Sequence, residues 1–248
     1  DPSEVALAVR DYLGVSLEDQ FSWRRIEDAL KNWRTIVEEN GIFIFKRSFK
    51  QDDISGFCLA DDELPLVYLN NSTAKSRQIF SIFHELAHIL LTTSGITKVN
   101  DTYIGYLSGQ AKAVEIFCNK FAGELLVPTS DFGKRLDPSQ PVEELVKTMS
   151  RRYSVSREVI LRKLLDRRIV SSYDYNKLVE EWLDDYKKSK SRRSKGGNYY
   201  ATQATYFGQK FLNLLFSKYY SGSITVQQVA GYMNIRAKNV AGVEQFIT

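Results

Sequence analysis

Residues 79–90 read Ile-Phe-Ser-Ile-Phe-His-Glu-Leu-Ala-His-Ile-Leu, an apolar run with ionisable side chains set into it. A helix is expected over residues 73–91. On it Ile79, Phe80, Ile82, Phe83, Leu86, Ala87, Ile89 and Leu90 leave almost no polar face, so the helix belongs in the middle of a domain. His84, Glu85 and His88 are carried inside with it, and burying them without partners is costly. These are the chain's two histidines, and they stand four apart, one helical turn from each other on a shared face. Two imidazoles so placed can bind one tetrahedral zinc ion, and the glutamate beside the first can reach a water on that ion and take its proton. Average residue frequencies produce this His-Glu-x-x-His spacing by chance in about one chain of this size in a hundred.

A hydrolytic zinc site needs a third protein ligand and an open fourth position. With no further histidine and only Cys58 and Cys118 as thiols, the third ligand is expected to be a carboxylate. A helix over residues 110–127, closed by Pro128, offers Glu115 and Glu124. Nine residues apart, they lie on opposite faces, so only one can face the metal. Glu115 shares its face with the small side chains of Cys118, Asn119 and Ala122 and is preferred, whereas Glu124 borders Phe117, Phe121 and Leu125.

Ahead of the histidine helix the pattern gives helices ending at Gly14 and over residues 22–39. Strands follow at residues 42–46, 54–59 and 66–69, forming a small, mostly antiparallel sheet. Leu66 to Asn70 reads either as a strand that receives an extended peptide by β-addition or as an interior strand. A loop with Gly95, Asn100, Gly105 and Gly109 joins the two site helices; its Tyr103 and Tyr106 are candidates for a transition-state donor or for ordinary surface packing. Beyond it everything reads as helical. Residues 142–153 and 157–165 resemble a helix-turn-helix, and a helix follows over 173–186. A basic run from Lys187 to Lys195, closed by Gly196 and Gly197, reads as a linker or solvated loop. Helices over 202–220 and 225–246 end the chain.

This pattern resembles the ImmA/IrrE family of metallo-endopeptidases. F-H-E-L-A-H-I-L-L followed by E-I-F-C-N-K-F-A-G-E-L-L-V-P carries the likeness, with G-F-C-L-A and L-V-Y-L-N-N as the strands before it. The resemblance covers residues 1–132 and, more loosely, the tail. It implies a zincin-like α+β fold, with His84, His88 and Glu115 as metal ligands and Glu85 as general base. It also implies cleavage of helix-turn-helix transcriptional repressors to relieve repression. Ala87, Cys118 and Gly123 stand where the family commonly has glycine, alanine and alanine; none of these removes a ligand, and Cys118 reads as a small buried residue.

The expected organisation is a metallopeptidase domain over residues 1–135, a helix-turn-helix-like region over 136–186 and a basic, helical C-terminal region over 187–248. Charge divides along the chain: 15 basic against 19 acidic residues up to Arg135, then 19 against 11. The basic part suits contact with DNA, and the rival readings are an antirepressor that acts without cutting and a DNA-binding regulator with a structural metal site. Zinc is the expected cofactor, with manganese as the alternative, since two histidines and a glutamate accept both. No run reaches the length of a membrane span, the first residues are not signal-like and the cysteines form no disulfide framework, so a cytoplasmic protein is expected.

Overall fold

The structure, a computed structural model, describes residues 1–49, 51, 53–98, 101–137, 139–190 and 197–247. Its fold is α+β: among the described residues it combines helices with a four-stranded sheet. The chain forms two compact units, residues 1–29 with 119–196, and residues 30–118 with 197–248. The division falls within two helices and cuts across the three contiguous segments expected from sequence.

The second unit holds the sheet, with strands β1 (Phe43–Arg47), β2 (Ile54–Leu59), β3 (Leu66–Asn70) and β4 (Gly95–Lys98) in the order β1-β3-β2-β4. β1 and β3 pair in parallel; β2 runs antiparallel to both β3 and β4. β3 is therefore interior, with both edges occupied, which removes it as the strand that receives a peptide. β4 arises from residues expected to be loop and is an edge strand among the described residues. Burial alternates along β1, where Ile44 and Lys46 face inward. On the opposite face Phe45, Tyr68 and Phe57 stack, their ring centres 5.5 and 5.3 Å apart.

Asn70 ends β3. Its buried amide donates to Ile54 O at 2.7 Å, and its carbonyl oxygen accepts from Ser72 N at 3.0 Å and Ser72 Oγ at 2.7 Å. That turn starts the helix Lys75–Leu90, which packs on β2, β3 and β4 and is buried continuously from Gln78 to His88. In chain order the helices are α1 (Pro2–Tyr12), α2 (Leu17–Ser22), α3 (Ile26–Glu39), α4 (Lys75–Leu90), α5 (Gly109–Leu126), α6 (Thr129–Lys134), α7 (Val142–Tyr153), α8 (Arg157–Asp166), α9 (Ser172–Lys190), α10 (Tyr199–Phe207), α11 (Gln209–Tyr220), α12 (Val226–Tyr232) and α13 (Val240–Glu244).

Several expected helices are broken. The one expected over residues 22–39 starts only at Ile26, because α2, opened by a Ser16–Asp19 capping box, ends at Ser22 and the chain turns extended at Trp23 before α3 begins. Gly208, at φ 80°, separates α10 from α11. The last expected helix is α12, a turn of 3-10 helix and α13. α10 to α13 bury Phe207, Leu212, Phe216, Val229, Met233 and Val243 in a cluster of their own, with Phe45 of β1 against it.

In the first unit, buried Arg10 donates to Gln20 Oε1 and Leu125 O, both at 2.8 Å, and Gln20 donates to Leu126 O at 3.0 Å and Tyr153 O at 2.8 Å. α7 and α8 form the expected pair, with Ser154 in the left-handed region (φ 56°) ending one and Ser156 capping the other. α9 carries the chain into the basic run as far as Lys190. Residues 191–196, the rest of that run with Gly196, lie outside the described residues.

Candidate metal centre

α4 supplies three of the expected groups. His84 and Glu85 are fully buried and His88 nearly so. One helical turn brings His84 Nε2 and His88 Nε2 to 3.2 Å of each other. Glu115, on the part of α5 that belongs to the same unit, places Oε2 3.3 Å from His84 Nε2 and Oε1 3.4 Å from His88 Nε2. Two nitrogens bound at about 2.0 Å to one tetrahedral ion stand roughly 3.3 Å apart. The three side chains thus converge at the spacing of ligands on a single cation, and the donor set of two imidazoles and a carboxylate suits zinc or manganese.

The surroundings hold these groups in place. Burial alone raises the proton affinity of Glu115, but its contacts with His84, His88 and Tyr103 more than reverse this and keep the carboxyl well below the usual range. The Tyr103 hydroxyl donates to Glu115 Oε2 at 2.5 Å, so this tyrosine acts on the carboxylate, while Tyr106 stands in solvent, 91% exposed. His88 Nδ1 lies 3.2 Å from Thr93 Oγ1, which itself donates to His88 O at 3.1 Å. A hydroxyl on the second ring nitrogen fixes the ring's rotation about its bond to the chain.

Glu85 is in the opposite condition. Neither carboxylate oxygen has a hydrogen-bond partner among the described residues. Burial raises its proton affinity, while His84, Thr97, His88 and Cys58 each pull it back. A buried, unpartnered carboxylate costs several kcal/mol unless something outside the chain satisfies it. A cation beside it and a water between them would do so, and in this respect too the residues fit a metal site.

Two glycines make room. A Cβ on Gly56 of β2 would lie 2.9 Å from Tyr68 O and 3.3 Å from Glu85 Oε1. A Cβ on Gly95 of β4 would lie 3.0 Å from His88 Cε1 and 3.1 Å from each ring nitrogen. Neither glycine stands out in the sequence, because the role of each comes from strand pairing; Thr93 is equally inconspicuous, since it meets His88 only through the turn that ends α4. Glycines flanking short apolar runs were the available signal.

The alternative acid, Glu124, is engaged elsewhere. It pairs with Lys163 and accepts from Thr129 N at 3.0 Å, within the other unit. Cys58 and Cys118 are both buried and free, and burial, first of all, raises the proton affinity of each thiol. Cys118 lies at the site itself: its Sγ and the ring nitrogens of His84 and His88 are all within 4.8 Å of one another.

The chain belongs to the ImmA/IrrE family. Residues 37–165, just over half of it, match the peptidase family described as the IrrE N-terminal-like domain. The matched stretch starts later than the likeness read from the sequence and continues through α8. It contains the sheet, α4, and α5 with Glu115. Family membership supports a metallopeptidase role with a protein substrate. No curated protein matches the chain. Among the described residues no helix is long and apolar enough to cross a membrane.

Proposed function

We propose that the protein is a metal-dependent endopeptidase in which His84, His88 and Glu115 hold a divalent ion, zinc or alternatively manganese, and Glu85 is the general base. The convergence of His84, His88 and Glu115 at 3.2 to 3.4 Å, beside an unpartnered Glu85, supports this reading most directly. Held by these three residues, the ion would supply Lewis-acid polarisation of a scissile carbonyl and would acidify a water. Glu85 would take the proton of that water and pass it to the leaving amine; neither of its oxygens is held in a hydrogen bond among the described residues, although Thr97 and Cys58 lie near enough to lower its proton affinity. The apolar walls of α4 exclude bulk solvent, which strengthens every charge interaction at the site. Tyr103 keeps Glu115 oriented toward the histidines. β4, the edge strand that passes His88 at Gly95, aligns an extended substrate by antiparallel pairing.

The substrate we propose is a helix-turn-helix transcriptional repressor in the cytoplasm, cut so that repression is relieved. The basic C-terminal region is available for contact with DNA or with such a partner. Coexpression with a candidate repressor, followed by mass spectrometry, tests the reading. Defined fragments are expected with the natural chain and none with Glu85→Gln. Relief of repression by both forms with no cut in the repressor would replace cleavage by sequestration.

A further inference from the structure

The metal centre contains a donor that the peptidase reading leaves unused. Cys118 is fully buried, and it follows Glu115 by three residues, so both side chains project from one face of α5. Its Sγ shares a space 4.8 Å across with the metal-facing nitrogens of His84 and His88. Cys58, the other buried cysteine, directs its thiol to Thr93 O at 3.7 Å. Glu85, buried on the same helix as the two histidines, has no hydrogen-bond partner at either oxygen among the described residues. The two imidazoles thus meet a thiol on one side, within 4.8 Å, and the Glu115 carboxylate at 3.3 and 3.4 Å.

We propose that Cys118 Sγ is a fourth protein ligand, so that the resting centre is closed by His84, His88, Glu115 and Cys118 together. The inference rests on the metal site of the proposed function and adds to it. On coordination the thiol proton leaves to solvent and the sulfur binds as thiolate. Four protein donors would complete the coordination of a zinc ion held there, and a water or a substrate carbonyl would gain access only on release of Sγ. A thiolate also favours thiophilic ions, zinc, cobalt and cadmium, over manganese.

Cobalt titration of the full chain tests this. The ligand-field bands of bound Co2+ report the ion, and a sulfur-to-cobalt charge-transfer band in the near ultraviolet reports the thiolate. Both are expected in the natural protein. The charge-transfer band is lost in Cys118→Ala and kept in Cys58→Ala. Zinc-edge X-ray absorption on the natural protein needs no variant and is expected to show one sulfur at about 2.3 Å. The zinc-over-manganese preference drops roughly tenfold or more in Cys118→Ala. Ligand-field bands without charge transfer, or a zinc shell of nitrogen and oxygen alone, overturn the role of Cys118 and leave the three-ligand site standing. No bound cobalt at all overturns both.

Discussion

A hydrogen atom in place of a methyl group at Gly95 lets β4 run against the His88 ring, and the same economy at Gly56 makes space for Glu85. Gly95→Ala pushes the ring off its position and is expected to weaken zinc binding about ten- to a hundredfold, read by competition with a chromophoric chelator. An unchanged affinity would show that the ring has room the geometry does not suggest. Glu85→Gln has the opposite profile: metal binding is retained, while peptide hydrolysis falls by roughly two to four orders of magnitude. Tyr103→Phe lies between them. It removes the hydrogen bond from the tyrosine hydroxyl to Glu115, so a loss of about tenfold in metal affinity is expected, with the fold intact by circular dichroism.

Helices and strands show where local pattern ends and tertiary structure begins. Gly208, between α10 and α11, has φ 80°, and a Cβ there would run into Arg34 and Glu38. Those two side chains form a buried pair at 3.0 Å; Arg34 also donates to Ile44 O and to Thr205 O, which ties α3 to β1 and α10. Gly208→Ala should therefore cost about 1–3 kcal/mol in a urea melt. Gly222→Ala, at φ 73° with nothing within 4 Å, should cost less, about 1 kcal/mol. α4 was legible because its pattern is local: an apolar helix with two imidazoles one turn apart. Glu115 could be separated from Glu124 by helix face alone. β4 was not legible, since Gly-Ile-Thr-Lys is too short to show alternation and exists by pairing with β2, far back in sequence. The break at Gly208 was hidden for a similar reason. A glycine within an apolar helical pattern is tolerated more often than not, and the Arg34–Glu38 pair that a Cβ there would meet is far away in sequence.

At the scale of the whole molecule, stability should depend on pH through a group outside the metal centre. Lys46 is buried on β1, and desolvation, with Arg34 adding repulsion, lowers its pKa from 10.5 to about 7, while Glu38 opposes the shift. Between these values the unfolded chain holds the proton and the folded chain does not, so stability from this group rises with pH across that window and is flat below it. Lys46→Met is expected to raise the melting temperature at pH 7, by about 1–4 kcal/mol of stability, and to flatten the rise toward pH 10. A fall at pH 7 would mean that the ammonium is stabilised in the fold. The central claim, that one ion sits between α4 and α5, is tested most directly by anomalous diffraction from crystals grown with zinc. The account predicts a single peak about 2.0–2.1 Å from Nε2 of both His84 and His88 and about 2.0–2.2 Å from the Glu115 carboxylate. A peak elsewhere, or none with the two imidazoles turned apart, would contradict it.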